Sequence, residues 1–225
     1  MPRPSRSPES IERSRLYLVC EDAGDAGSTA RLLDAALRGG VDLIQLRDKD
    51  AGDDALLAAA PAFRAAADRH DALFLINDRP DLVAACAADG VHVGQDDVPV
   101  AEARRIAGPE AVVGLSTHSP DQLRAAHEAA GDDRPDYISV GPVWATPTKP
   151  GRPAAGLEYV RTAAAEAELP WFAIGGIDAG NIAEVLTAGA TRVVVVRAIR
   201  DAPDPEAAAA GLRAAVESGP IGAAS

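Results

Sequence analysis

The feature that most restricts what this chain can become is a recurrence. Short, predominantly apolar runs, bounded by Gly, Asp or Pro, are separated by Ala-rich stretches of helical character. They fall at 16–20, 43–46, 73–76, 91–93, 112–115, 137–140, 171–174 and 193–196. Runs this short, alternating with helical segments, have the pattern of βαβ units around a parallel sheet. Apart from Gln45, His92 and Ser139 their apolarity is continuous rather than alternating, which suits strands covered on both faces.

The intervals carry helix signals. Ser28 stands before a helix over 29–38, Ser119-Pro120 opens one that runs to about Ala130, and Asp178 precedes one over 179–188. Ser and Asp side chains accept a first-turn N–H, and Pro suits the first helical position. Gly39-Gly40, Gly90, Gly131 and Gly189 are placed to end helices ahead of strands. With a last helix from about Pro205 to Glu217, eight strand–helix units are expected to close into an α/β fold, the (β/α)₈ TIM barrel. The 225 residues suit one such domain, expected over 16–218 between flexible tails at 1–15 and 219–225. An open doubly wound sheet is the alternative, but it usually has fewer strands, and no Gly-x-Gly-x-x-Gly follows any strand.

A chain 47% hydrophobic and 25% charged has the composition of a soluble globular protein with a sizeable core. No stretch approaches the ~18 apolar residues of a membrane span, and residues 1–15 lack the apolar segment of a secretory signal. The net charge of −12 opposes non-specific binding to nucleic acid or anionic membrane. Cys20 and Cys86 show no zinc or redox spacing and are expected as buried thiols in a reducing cytoplasm.

In a barrel of this kind the active site lies on the loops after the strands, and the polar residues gather there. Gln45-Leu46-Arg47-Asp48-Lys49 follows strand 2, Asn77-Asp78 strand 3, Gly94-Gln95-Asp96-Asp97 strand 4 and Ser116-Thr117-His118 strand 5. Thr146-Pro147-Thr148-Lys149 follows strand 6, Gly175-Gly176 strand 7, and Arg197 strand 8. Asp78 and Asp97 end adjacent strands, whose backbones lie about 4.8 Å apart. Carboxylates so placed repel unless a proton or cation lies between them, and such oxygen ligands suit Mg²⁺. Helix capping by the Asp before Val98-Pro99 is the plainer alternative.

Arg47, Lys49 and Lys149 supply the positive charge a diphosphate needs, unless the first two simply pair with Asp48 and Asp50. Lys149 sits in a Pro-rich loop over 141–156, longer than the usual ~4–6 residues, and such loops tend to be lids. Gly175-Gly176 lets backbone approach a phosphate, or makes an ordinary tight turn. His92, inside strand 4, is expected to be packed or hydrogen-bonded within the barrel. His118 is better placed for chemistry, and His70 and His127 are expected on the helical surface.

Together these segments, with Gly114-Leu115-Ser116, Gly141-Pro142-Val143 and Ile174-Gly175-Gly176-Ile177, resemble the thiamine-phosphate synthase family. The likeness runs in the family's order from about Leu16 to Pro205. It implies a transferase of thiamine biosynthesis that condenses hydroxymethylpyrimidine diphosphate with hydroxyethylthiazole phosphate, giving thiamine phosphate and pyrophosphate. By that resemblance Gln45, Leu46, Arg47, Asp48, Lys49, Asn77, Ser116 and Lys149 hold the pyrimidine diphosphate. Arg47, Lys49, Lys149 and Ser116 serve catalysis. Asp78 and Asp97 bind Mg²⁺, the family motif selecting the second Asp of its pair. Thr146, Pro147, Thr148, Gly176, Val196 and Arg197 line the thiazole phosphate site.

Arg197 departs from relatives that carry Ser there, which leaves the role of its side chain open. The implied mechanism is dissociative and asks for no nucleophile–base pair. A thiazole tautomerase-like isomerase on the same barrel would need neither diphosphate nor metal site. A non-catalytic thiamine-phosphate-binding protein would bind without turnover.

Overall fold

Each strand pairs in parallel with the next along the chain, and the eighth returns to the first, so the sheet closes into a barrel. The computed structural model describes residues 8–145 and 153–219. In chain order the elements begin with α1 (Pro8–Arg13), β1 (Leu16–Cys20), α2 (Ala26–Arg38), β2 (Leu43–Leu46), α3 (Asp53–Arg69) and β3 (Leu73–Asn77). They continue with α4 (Val83–Cys86), β4 (Gly90–Val93), α5 (Val100–Ala107), β5 (Val112–Thr117), α6 (Pro120–Glu128) and β6 (Tyr137–Val140). Last come α7 (Gly156–Glu166), β7 (Trp171–Ile174), α8 (Ile182–Thr187), β8 (Val193–Val195), α9 (Arg197–Arg200) and α10 (Pro205–Ser218).

The predominantly apolar runs follow from this geometry. Leu16, Leu18, Ile44, Phe74, Val91 and Ile138 point outward into the layer beneath the helices. Their neighbours Tyr17, Leu43, Leu75, Tyr137 and Phe172 point inward. Both faces are buried, so no strand can alternate apolar with polar along its whole length. Among the described residues no helix is long and apolar enough to cross a membrane.

Several local expectations need correction. Asp25, not Ser28, caps α2, accepting the Ser28 N–H at 2.8 Å. The helix expected from Asp178 starts only at Ile182, because the Asp178 carboxylate closes a turn onto Gly180 N. Gly90 lies within β4 rather than ending a helix, and Gly131 opens a 3₁₀ turn. Within the segment expected as a tail over 1–15, Pro8–Arg13 is helical and its Ile11 is fully buried against the interior cluster, closing the bottom of the barrel. The parts of the expected tails before residue 8 and after 219 lie outside the described residues.

Above that plug, one device recurs at alternate strands. Asp42, Asp89 and Asp136 each immediately precede a strand and accept an N–H from the first or second residue of the neighbouring one, from Leu16 at 3.0 Å, Phe74 at 2.8 Å and Val113 at 2.7 Å. Each also meets an arginine from a helix: Arg213, Arg64 and Arg104 respectively. A strand's opening N–H needs a partner when buried, and the arginine neutralises the carboxylate that provides it.

Candidate active site

The interior is apolar at the bottom and polar toward the C-terminal ends of the strands, where a pocket of about 400 Å³ opens. Tyr17, Gln45, Asn77, His92, Ser116 and Ser139 line it from β1 to β6, and Arg47, His118, Gly176 and Arg197 line its mouth. The volume lies within the range of small-molecule sites.

Register explains how the polar groups meet. His92 pairs with Gly114, and Gly114 with Tyr137. A Cβ on Gly114 would lie 2.2 Å from Tyr137 Cζ, so the glycine leaves the space that the tyrosine ring fills. The Tyr137 hydroxyl then sits 2.8 Å from His92 Nδ1, while His92 Nε2 lies 2.9 Å from Ser116 Oγ. Tyr137 also meets the Tyr17 hydroxyl at 3.2 Å, and Tyr17 bonds Gln45 Oε1. Burial pushes both phenols well above their usual pKa and keeps them protonated. His92 is thus hydrogen-bonded inside the barrel.

On the rim beside β3 and β4, Gln45 Nε2 donates to Asn77 Oδ1 at 2.7 Å, and Asn77 Nδ2 donates to Asp78 Oδ2 at 2.6 Å. Lys49 Nζ approaches the same oxygen at 3.2 Å, so it reaches Asp78 rather than Asp48 or Asp50. Burial, together with the facing charge of Asp97, holds the Asp78 carboxyl above its ordinary range, and Lys49 offsets part of that. Asp78 has φ +58, a left-handed conformation that costs most side chains roughly 1–2 kcal/mol and that Asp tolerates better than most.

Asp97 accepts the Gly94 N–H at 2.9 Å and caps no helix, since α5 begins beyond it after Pro99 without a side-chain cap. Among the described residues no three His, Cys, Asp or Glu gather as a metal cage. Two facing carboxylates do fit Mg²⁺, which keeps several waters and shares its remaining positions with substrate phosphates.

Other expected site residues are placed differently. Leu46 is buried in the outer layer, so only its backbone faces the rim. The Asp48 carboxylate accepts from Asp50 N and Ala51 N, both at 3.1 Å, and shapes its own loop. His118 donates from Nδ1 to the Gly141 carbonyl at 2.6 Å. Gly175 and Gly176 have φ +110 and +70, and a Cβ on Gly175 would lie 2.5 Å from Pro142 Cα, so the turn after β7 packs tightly on the start of the long loop. Arg197 is exposed at the start of α9. Thr146, Pro147, Thr148 and Lys149 lie outside the described residues; the loop that carries them is pinned at its base by Ala155 N to Pro142 O at 2.7 Å. His70 meets Asp34 on the helical layer, where His127 is half-buried.

Sequence reasoning missed Tyr17 and Ser139 as pocket residues, and Tyr137 as the hydroxyl that links Tyr17 to His92. The signal was present in the two-residue spacing of Tyr17 with Val19 and of Tyr137 with Ser139, which puts each pair on one strand face.

Residues 16–199 match the family model for thiamine monophosphate synthase. A thiamine-phosphate synthase of Thermobifida fusca is 53% identical over 206 residues, which cover 90% of this chain and 92% of the relative. One of Thermus thermophilus is 55% identical over 204 residues, covering 88% and 95%. A solved thiamine phosphate pyrophosphorylase of Pyrococcus furiosus superposes with a TM-score of 0.80 at 31% identity, covering 94% of this chain and 99% of that one.

Proposed function

Because the chain belongs to the thiamine monophosphate synthase family, we propose that its barrel mouth joins hydroxymethylpyrimidine diphosphate to hydroxyethylthiazole phosphate. The products are thiamine phosphate and pyrophosphate. The observation that carries the reading is the group of Lys49, Asp78 and Asp97 on the rim of a pocket lined by polar side chains. The rim suits a diphosphate, and the pocket suits a flat ring with hydrogen-bonding edges.

The pyrimidine lies in the pocket against Ser116, with Gln45, Arg47, Lys49, Asn77 and Lys149 around its diphosphate. Thr146, Pro147, Thr148 and the backbone of Gly176, Val196 and Arg197 hold the thiazole phosphate. Asp78 and Asp97 would hold Mg²⁺, which when bound supplies positive charge to the departing pyrophosphate. The C–O bond to the diphosphate breaks with its electron pair leaving on oxygen, driven by the electron-rich aminopyrimidine. The thiazole nitrogen lone pair then forms the new C–N bond, and no proton need move. Arg47, Lys49 and Lys149 stabilise the charge that grows on the leaving group, and the walls hold the two rings in line. A cytoplasmic place and small-molecule partners are part of the same proposal.

Purified protein given both substrates and Mg²⁺ is expected to release pyrophosphate in step with thiamine phosphate. Tight binding of thiamine phosphate without turnover would overturn the reading.

A further inference from the structure

The hydrogen bonds between Asp78 and Ser116 form one unbroken chain, and its direction follows from the placing of two side-chain amides. Asn77 Nδ2 donates to Asp78 Oδ2 at 2.6 Å. Asn77 Oδ1 then faces Gln45, which must present Nε2, and Gln45 Oε1 is left to accept from Tyr17. Tyr17 has spent its one proton, so Tyr137 donates to Tyr17 across 3.2 Å. Tyr137 has now spent its own, and at 2.8 Å it accepts from Nδ1–H of His92. In the neutral imidazole that leaves His92 Nε2 as a bare lone pair, to which Ser116 donates its hydroxyl proton across 2.9 Å.

We propose that this polarised chain fixes Ser116 as a hydrogen-bond acceptor toward the pocket, and so selects a pyrimidine with an exocyclic amino group over one with an oxo group. The Ser139 hydroxyl, 3.4 Å from Ser116 Oγ, again approaches as a donor. An amino group offers N–H to the remaining lone pair. An oxo group sets acceptor against acceptor in a buried place, the arrangement that separates analogues most strongly. Tyr17, Tyr137 and His92 are positioning residues in this scheme, and they act on the ligand only through Ser116. The inference rests on the proposed place of the pyrimidine beside Ser116.

Two measurements test it. In uniformly ¹⁵N-labelled wild-type protein, with the His92 signals identified by their loss in His92→Gln, His92 is expected to carry its proton on Nδ1. A proton on Nε2 overturns the proposal, and this readout needs neither a ligand nor a folded Tyr17 variant.

The second compares inhibition constants of two diphosphonate analogues, amino and oxo, whose leaving oxygen is replaced by a methylene. Binding is measured because removal of the amino group would itself slow the departure of pyrophosphate. Wild type is expected to prefer the amino analogue by at least ~100-fold. Tyr17→Phe, which cuts the chain, is expected to narrow that preference at least ~10-fold, because Ser116 is freed to donate. A preference that is unchanged while both analogues weaken equally would mean a merely structural role and overturns the proposal. Failure of both analogues to bind wild type would instead sink the placement of the pyrimidine, and the acceptor role with it.

Discussion

Gly114 and Tyr137 are neighbours in register on β5 and β6, and the tyrosine ring occupies the space where a side chain on Gly114 would stand. That vacancy carries Tyr137 to His92, and His92 to Ser116. Gly114→Ala is expected to cost ~1–3 kcal/mol through overpacking against the ring. For a chain of this length that is a fall in Tm of roughly 2–12 °C, readable by calorimetry. Because the ring must move, Gly114→Ala should also weaken pyrimidine diphosphate binding more than thiazole phosphate binding. An unchanged KM for the pyrimidine would show that the Tyr137 position does not matter to the site.

Asp78 concentrates several costs at one position: burial, a facing carboxylate and a left-handed backbone. Such costs persist where function requires them. Asp78→Asn keeps a residue that tolerates the backbone and removes the repulsion. It is expected to lower turnover by at least ~100-fold, on the scale of losing one charge-stabilising group, while Tm holds or rises. EDTA should abolish activity and added Mg²⁺ restore it. Full turnover in EDTA, measured as pyrophosphate release, would sink the assignment of Asp78 and Asp97 to a metal.

The strands were legible because burial on both faces leaves runs such as Leu43–Leu46 with no polar outer side to confuse the pattern. The rim residues were legible because charged groups such as Lys49 and Asp78 contrast with the apolar strands they follow. Inside the barrel the contrast fails. Tyr17 and Tyr137 fall inside predominantly apolar runs, so the sequence does not separate an aromatic that fills space from one whose hydroxyl carries a hydrogen-bond chain. Ile11 was hidden for a different reason. A six-residue helix has too few turns to show a period, and a single buried isoleucine makes no face.

The strand-entry aspartates were visible only as turn residues, yet their burial makes them a stability prediction. Asp89 receives Phe74 N–H and Arg64, whose side chain is only 8% exposed. Asp89→Ala strands the Phe74 N–H and takes one partner from a buried guanidinium, which keeps Asp68 at 2.9 Å and the Ala87 carbonyl at 3.2 Å. The expected loss is ~1–3 kcal/mol, the usual penalty for leaving a buried donor unsatisfied, or roughly 2–12 °C in Tm. The site is far along the barrel axis, so the folded fraction should keep its KM values. A loss within 0.5 kcal/mol by denaturant titration would show that water replaces the carboxylate at no cost.

Arg197 presents a choice between two ways of holding the thiazole phosphate. Either its guanidinium grips the phosphate, or the backbone at the start of α9 does so and the side chain is incidental. Strand alternation favours the backbone. Val194 belongs to the interior cluster and Val196 packs against it, so the next residue sets out away from the barrel axis. Arg197 is exposed, although it reaches the pocket mouth. A charged hydrogen bond contributes about 1.5–3 kcal/mol, so a direct grip predicts a loss of roughly 10- to 150-fold on truncation. The backbone account predicts that Arg197→Ser raises the thiazole phosphate KM less than ~10-fold and leaves kcat nearly unchanged, since a uniform binding contact alters KM alone. A rise of ~50-fold or more, confined to that substrate, would assign the phosphate to the side chain.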